Sequence, residues 1–134
     1  MLKKKTTTEQ KKKRIAKECD KLWKLACYKA WGNECIFCGK TDQTTYHHYI
    51  ERSKSILLKY DPINGVPMCN MREHFVLHHS KEGDKIMKLC NEIREKRGEK
   101  WCQYIDKQRK VDNRGIFTLT WIREQREKLN KYLS

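Results

Sequence analysis

Residues 35–79 read CIFCGKTDQTTYHHYIERSKSILLKYDPINGVPMCNMREHFVLHH. Three of the chain's seven cysteines, all five histidines and both prolines fall inside this window. An ordinary hydrophobic core has no reason to collect so many metal ligands and turn formers, so chemistry is expected here. The window opens on Cys35-Ile36-Phe37-Cys38-Gly39, a C-x2-C followed by glycine. That spacing makes a tight knuckle whose two thiolates face one ion, with amides of the turn stabilising the sulfur charge. Cys69, which follows Val66, Pro67 and Met68, is the third candidate ligand for a structural zinc. The usual spacing puts a fourth ligand at 72, where Arg72 stands, and an arginine has no lone pair for zinc. Three readings stay open: His74 completes a site of three cysteines and one histidine, the fourth ligand comes from elsewhere, or the cysteines are only packed.

Between the two halves, Thr44, Thr45, Tyr46, Tyr49 and Ile50 favour a strand. Adjacent strand side chains point to opposite faces, so His47 and His48 are expected to do different work. One can hold a metal while the other meets a water from another direction. Further on, DPING is a turn, with Pro62 fixing φ and Asn64-Gly65 tolerating left-handed geometry. After Cys69 a helix can start, in which His74 and His78 stand at i and i+4 and offer two nitrogens to one cation. His79 points elsewhere. A single histidine is ordinarily a surface or hydrogen-bonded residue, and an asparagine in a turn is ordinarily just that. Five histidines in one cysteine-bounded window, two adjacent on a strand and two at helical spacing, outweigh the bland account.

The flanks read as packing and grip. With 134 residues, 37% hydrophobic and 36% charged, the chain supports one domain with a modest core that a metal staple would help. The net charge is +14 and unevenly placed: residues 1–34 carry +7, residues 35–80 carry +1 and residues 81–134 carry +6. A nearly neutral window between two basic flanks suits a polyanion gripped from both sides, which favours nucleic acid as partner. No apolar run approaches membrane-spanning length and the N-terminus lacks a secretory hydrophobic segment, so a cytoplasmic protein without membrane partner is expected. An odd cysteine count in a reducing compartment favours thiols and metal ligands over disulfides.

Residues 1–14 are expected to be a disordered basic tail. From there Ile15, Cys19, Leu22, Trp23, Ala26, Cys27 and Ala30 mark one apolar face of a leading helix, 15–33, ended by Gly32 and Asn33. Cys19 and Cys27 lie on that face as packed thiols. Ile86, Leu89, Cys90 and Ile93 mark a helix ending at Gly98, and Trp101, Tyr104 and Ile105 mark another; Cys90 and Cys102 read as core thiols, with either one a candidate missing zinc ligand. Thr118 or Thr120 caps a last helix carrying Trp121, Ile122, Leu129, Tyr132 and Leu133.

The order of a C-x2-C knuckle, a His-His pair, an Asn in a loop, then a Cys and a helix bearing His resembles the HNH endonucleases, which share a ββα-metal fold. The likeness covers residues 35–79, about a third of the chain. It implies that His48 is the general base activating water, that His47 is a metal ligand, and that Asn64 braces the loop behind the base. It also implies that His74 and His78 complete the catalytic metal site, as in HNH members with an H-x3-H helix. A looser likeness extends further. KECDKLWKLA, RSKSILLKYDPIN, RGEKWCQYI and TWIREQREKLNKYL are similar in order and spacing to the NinG (Rap) proteins of lambdoid phages, recombination endonucleases acting on branched DNA. Arg72 and His74 depart from that pattern.

The expected architecture is α+β: a small ββα-metal nuclease core with a zinc knuckle, flanked by N-terminal and C-terminal helices, in a single domain over 15–134 (leading helix 15–33, core 35–79, C-terminal helices 81–134). The expected function is a phage-type, metal-dependent DNA endonuclease hydrolysing phosphodiester bonds in recombination or branched DNA. Its cofactors would be one catalytic divalent ion (Mg, Mn, Ni or Zn) and a structural zinc on Cys35, Cys38 and Cys69. The partner would be double-stranded or branched DNA, and symmetrical cutting would favour a homodimer. The alternative is a non-catalytic, zinc-containing DNA-binding module, which needs only the cysteines and the basic flanks.

Overall fold

A computed structural model describes residues 6–69 and 83–134. Thr7 starts the first helix, α1 (Thr8–Trp31): its hydroxyl accepts from the Gln10 backbone N–H, and the Gln10 side chain accepts from the Thr7 N–H. The disordered tail expected over 1–14 is therefore corrected for residues 8–14, which are helical, while residues 1–5 lie outside the described residues. Composition alone made residues 8–14 a tail, but the capping box and two contacts of Lys12 hold them. Lys12 pairs with Glu9 at 3.2 Å and lies over the ring of Phe117, far along the chain. Gly32, at φ 77°, ends α1 by giving its N–H to the Tyr28 carbonyl.

Strands β1 (Thr44–His48) and β2 (Gly65–Cys69) pair antiparallel, with Thr44 opposite Cys69, Tyr46 opposite Pro67 and His48 opposite Gly65. The connection between them ends in a single 3-10 turn, Pro62–Asn64, capped by the Asp61 carboxylate on the Ile63 N–H. Three helices follow: α2 (Gly83–Arg97), α3 (Glu99–Arg109) and α4 (Leu119–Leu133). Gly98 at φ 93° turns α2 into α3, and Thr118 caps α4 by accepting from the Trp121 N–H at 3.1 Å. The described residues thus form an α+β arrangement of four helices and a two-stranded sheet. The expected helix bearing His74 and His78 lies outside the described residues.

Two apolar cores flank the sheet. Ile15, Cys19, Trp23, Ala26 and Cys27 of α1 pack with Ile122 and Leu129 of α4 and with Tyr46 and Tyr60. On the other side Val66 and Met68 of β2 pack with Ile50, Leu58, Ile93, Trp101 and Ile105. Gly65 is required at the seam, because a Cβ there would lie 2.4 Å from the Cys27 sulfur. The turn before β2 is gripped by three of the four tryptophans. Trp23, Trp31 and Trp101 donate their indole N–H groups to the carbonyls of Asp61, Pro62 and Ile63 at 2.8, 2.9 and 2.7 Å. The buried indoles of Trp23 and Trp101 thereby meet the hydrogen-bond need that burial imposes on them, and the turn is fixed from both cores, while Trp31 adds a more exposed third bond. Arg97 adds a fourth hold, lying 3.6 Å over the Trp31 ring and donating to the Gly65 carbonyl at 2.9 Å.

Candidate functional site

The knuckle is built from backbone bonds. Cys35 gives its N–H to the Lys40 carbonyl and Gly39 gives its own to the Cys35 carbonyl, both at 2.9 Å, with Gly39 at φ 73°. Pro67 has no N–H for the ladder, but its carbonyl accepts from the Ile36 N–H at 2.8 Å, which lays the knuckle against β2. That contact brings in Cys69. The ligand atoms of Cys35, Cys38 and Cys69 all lie within 4.8 Å of one another, and the sulfurs of Cys38 and Cys69 are 3.8 Å apart. Four sulfurs at about 2.3 Å from a tetrahedral zinc sit about 3.8 Å apart, so the separation fits such an ion. Burial pushes the Cys35 thiol up, yet the backbone amides of Cys38, Cys69 and Phe37 outweigh it and hold the group below the ordinary thiol range. This triad can hold a metal ion such as zinc. Among the described residues no fourth ligand joins it. Cys102 instead points its thiol at the Arg94 carbonyl, 3.6 Å away, and burial raises Cys90. The expected alternative, His74, lies outside the described residues.

The histidine pair occupies the other end of the sheet. Tyr46 and His48 face α1, while Thr45 and His47 alternate to the opposite face. The His48 ring stacks on Trp23 with centroids 3.9 Å apart and planes 5° from parallel. Its Nε2 lies 2.8 Å from the Lys59 carbonyl oxygen. A carbonyl only accepts, so Nε2 carries the hydrogen and Nδ1 keeps the lone pair. Burial pushes this imidazole down to about 4. The Lys59 carbonyl and the Asp20 carboxylate oppose that shift, whereas the Arg52 and Lys59 cations reinforce it. His48 is therefore neutral at cellular pH.

Asn64 is fully buried behind it. Its Oδ1 accepts from the Ile50 N–H at 2.8 Å, and its Nδ2 donates to the carbonyls of Ile50 and Leu58 at 3.0 and 3.2 Å. Those bonds tie the segment after His48 to the connection that supplies the Lys59 carbonyl. Asn113, from the link between α3 and α4, holds the same connection by bonds to Lys54 and Ile56.

His47 has its Nε2 2.8 Å from the Thr45 hydroxyl. Although they alternate along the strand, His47 and His48 both line an open cavity of about 550 Å³, together with Asp20 and Lys24 of α1 and with Glu51 and Arg52. Arg52 and Asp20 form an ion pair at 3.6 Å. The structure thus brings His47, His48 and Asn64 to one end of the sheet, while His74 and His78 lie outside the described residues.

Several groups here escape the sequence. Trp23 reads as one more apolar position of α1, and a backbone carbonyl such as that of Lys59 leaves no trace in a sequence. The carboxylates of Asp20 and Glu51 carry no spacing that links them to the histidines. The one usable signal is that Asp20 stands three residues before Trp23, hence beside it on the helix surface.

No helix among the described residues is long and apolar enough to cross a membrane. Comparison with known proteins gives no match: no family model, no curated protein and no solved structure matches the chain.

Proposed function

We propose that this chain is a metal-dependent DNA endonuclease of the HNH kind, hydrolysing phosphodiester bonds with a preference for branched or recombination DNA. The observation that carries the reading is His48, a neutral imidazole whose Nε2–H is committed to the Lys59 carbonyl and whose ring lines a cavity shared with His47. Nδ1 is left to take a proton from a water attacking phosphorus in line. When it does, the charge on the ring is met by the Lys59 carbonyl at one nitrogen and by the π face of Trp23 beneath it. Asn64 holds that geometry through its three bonds, so the base is oriented before substrate arrives.

A divalent ion on His47, His74 and His78 would supply the charge stabilisation at the non-bridging and leaving oxygens. His47, whose Nε2 lies 2.8 Å from the Thr45 hydroxyl, would be one of the residues holding it. Cys35, Cys38 and Cys69 are assigned to a structural zinc. One further reading is favoured by that cysteine cluster and by the +14 charge, neither of which needs a histidine: a zinc-containing DNA-binding module without catalysis.

The test is cleavage of an end-labelled four-way junction beside a linear duplex of the same sequence, with Mg and with Mn. His48→Ala is expected to lose cutting by roughly 10²–10⁴-fold while DNA affinity is kept. Equal cutting of both substrates would remove the junction preference. No cutting by the wild type in any of several metals, with binding retained, would leave the binding module.

A further inference from the structure

We propose that one strip of α1 is a phosphate rail: Lys13, Lys17, Lys21 and Lys24 hold one strand of a DNA duplex as it leads away from the cavity of His47 and His48. The reading of that cavity as the cutting site comes from the proposed function; the rail itself is argued from charge and geometry. All four lysines are exposed. Lys13 and Lys17 stand at i and i+4, Lys17 and Lys24 are two turns apart, and Lys21 lies between them, so helical geometry puts the four on one side of α1. Lys24 itself lines the cavity, which fixes where the strip begins. From there it runs toward the start of the helix.

The carboxylates of α1 do not neutralise this strip. Glu9 is held by Lys12 at 3.2 Å, Glu18 by Arg126 at 3.0 Å and Asp20 by Arg52 at 3.6 Å. That accounts for every acidic residue of the helix, and none of the four lysines forms an ion pair among the described residues. Asp20 shares that side of the helix, three residues after Lys17 and four before Lys24, and its ion pair with Arg52 takes up its charge. Like charges at i and i+4 weaken a helix, and a bound polyanion relieves that repulsion.

A membrane surface is a poorer match, because the apolar face that an interfacial helix would insert is buried here under α4, with Cys19, Ala26 and Cys27 fully covered. From Lys13 to Lys24 the rail is about 16 Å long. That is long enough for neighbouring phosphates of one strand to meet its lysines on one side of the cavity.

The experiment measures binding apart from cutting. The full chain carrying His48→Ala, zinc-loaded and with no other divalent ion added, is titrated onto a fluorescein-labelled 20-base-pair duplex by anisotropy over a KCl series. Two triple variants are compared: Lys13→Gln, Lys17→Gln, Lys24→Gln on the rail, and Lys88→Gln, Lys100→Gln, Lys107→Gln on exposed positions of α2 and α3. Both remove the same charge, and glutamine matches lysine in helix propensity.

The slope of log affinity against log salt is expected to fall by about 2.7 for the rail variant and by less than about 1 for the control. Lysine-to-arginine replacement on the rail should keep the wild-type slope. An equal fall in both triples, or no fall on the rail, overturns the proposal in favour of diffuse attraction. So does a rail variant that loses binding to phosphatidylserine vesicles yet keeps its DNA slope. A parallel cleavage assay with His48 intact separates the two readings: a chain that cuts nothing yet shows the slope change keeps the rail and loses the nuclease.

Discussion

The cysteine cluster and the histidine cavity sit at opposite ends of one two-stranded sheet, five residues long on each strand. They are assembled by different means. At the cysteine end a knuckle closed by its own backbone bonds is joined to β2 through the Pro67 carbonyl, so the ligands need little beyond residues 35–40 and 67–69. At the histidine end nearly every partner of His48 and Asn64 is remote: Trp23 on α1, the Lys59 carbonyl, and a turn gripped by indoles from α1 and α3. The cysteine cluster is placed largely by local chemistry, whereas the stacked, hydrogen-bonded setting of His48 is built by the whole fold.

The cysteine end is the more sensitive to substitution. Cys69→Ser should lower zinc from one per chain toward none, read by elemental analysis, and cost on the order of 5 kcal/mol. That is less than for isolated zinc-finger peptides, because two apolar cores remain. His47→Ala should leave zinc content at one per chain. If Cys69→Ser and His47→Ala lower it equally, the two ends are not separate sites.

Next in size is Trp23→Ala, which removes the floor under His48 and the bond to the Asp61 carbonyl. It should destabilise by about 4 kcal/mol in urea unfolding and reduce cleavage, with zinc content unchanged. Trp23→Phe keeps a ring under His48 and loses the hydrogen bond, for about 1 kcal/mol. Equal losses in the two variants would mean that stacking contributes nothing.

A further effect concerns pH. With the folded His48 pushed down to about 4 from 6.5, the unfolded chain binds its proton first as pH falls. Stability from this group is therefore complete above about pH 6.5 and declines toward pH 4, by about 2 kcal/mol once solvent screening of a half-buried ring is allowed for. Urea unfolding of chelated protein at pH 7 and pH 4.5 measures the decline, and His48→Gln should flatten it. An unchanged pH slope in His48→Gln would move the cause to other groups.

Much of the scaffold was legible because its signals are short-range. The apolar spacing of Ile15, Cys19, Trp23, Ala26 and Cys27, the stop at Gly32, the Thr118 cap and the strand before Tyr49 each depend on a few neighbouring residues. The start of α1 was not legible, since the charge run over 8–14 hides a capping box whose turn also rests on distant Phe117. Ala30 belongs to the apolar spacing yet is exposed.

By itself the sequence determined where ligands and turns fall: the C-x2-C knuckle, the paired histidines and the DPING turn are local patterns enforced by backbone geometry. Only the tertiary structure decided what His48 is. Its tautomer follows from a carbonyl eleven residues away, and its low proton affinity follows from burial against Trp23, twenty-five residues before it. Both are close contacts made by groups distant in sequence, whose residue types say nothing of the role.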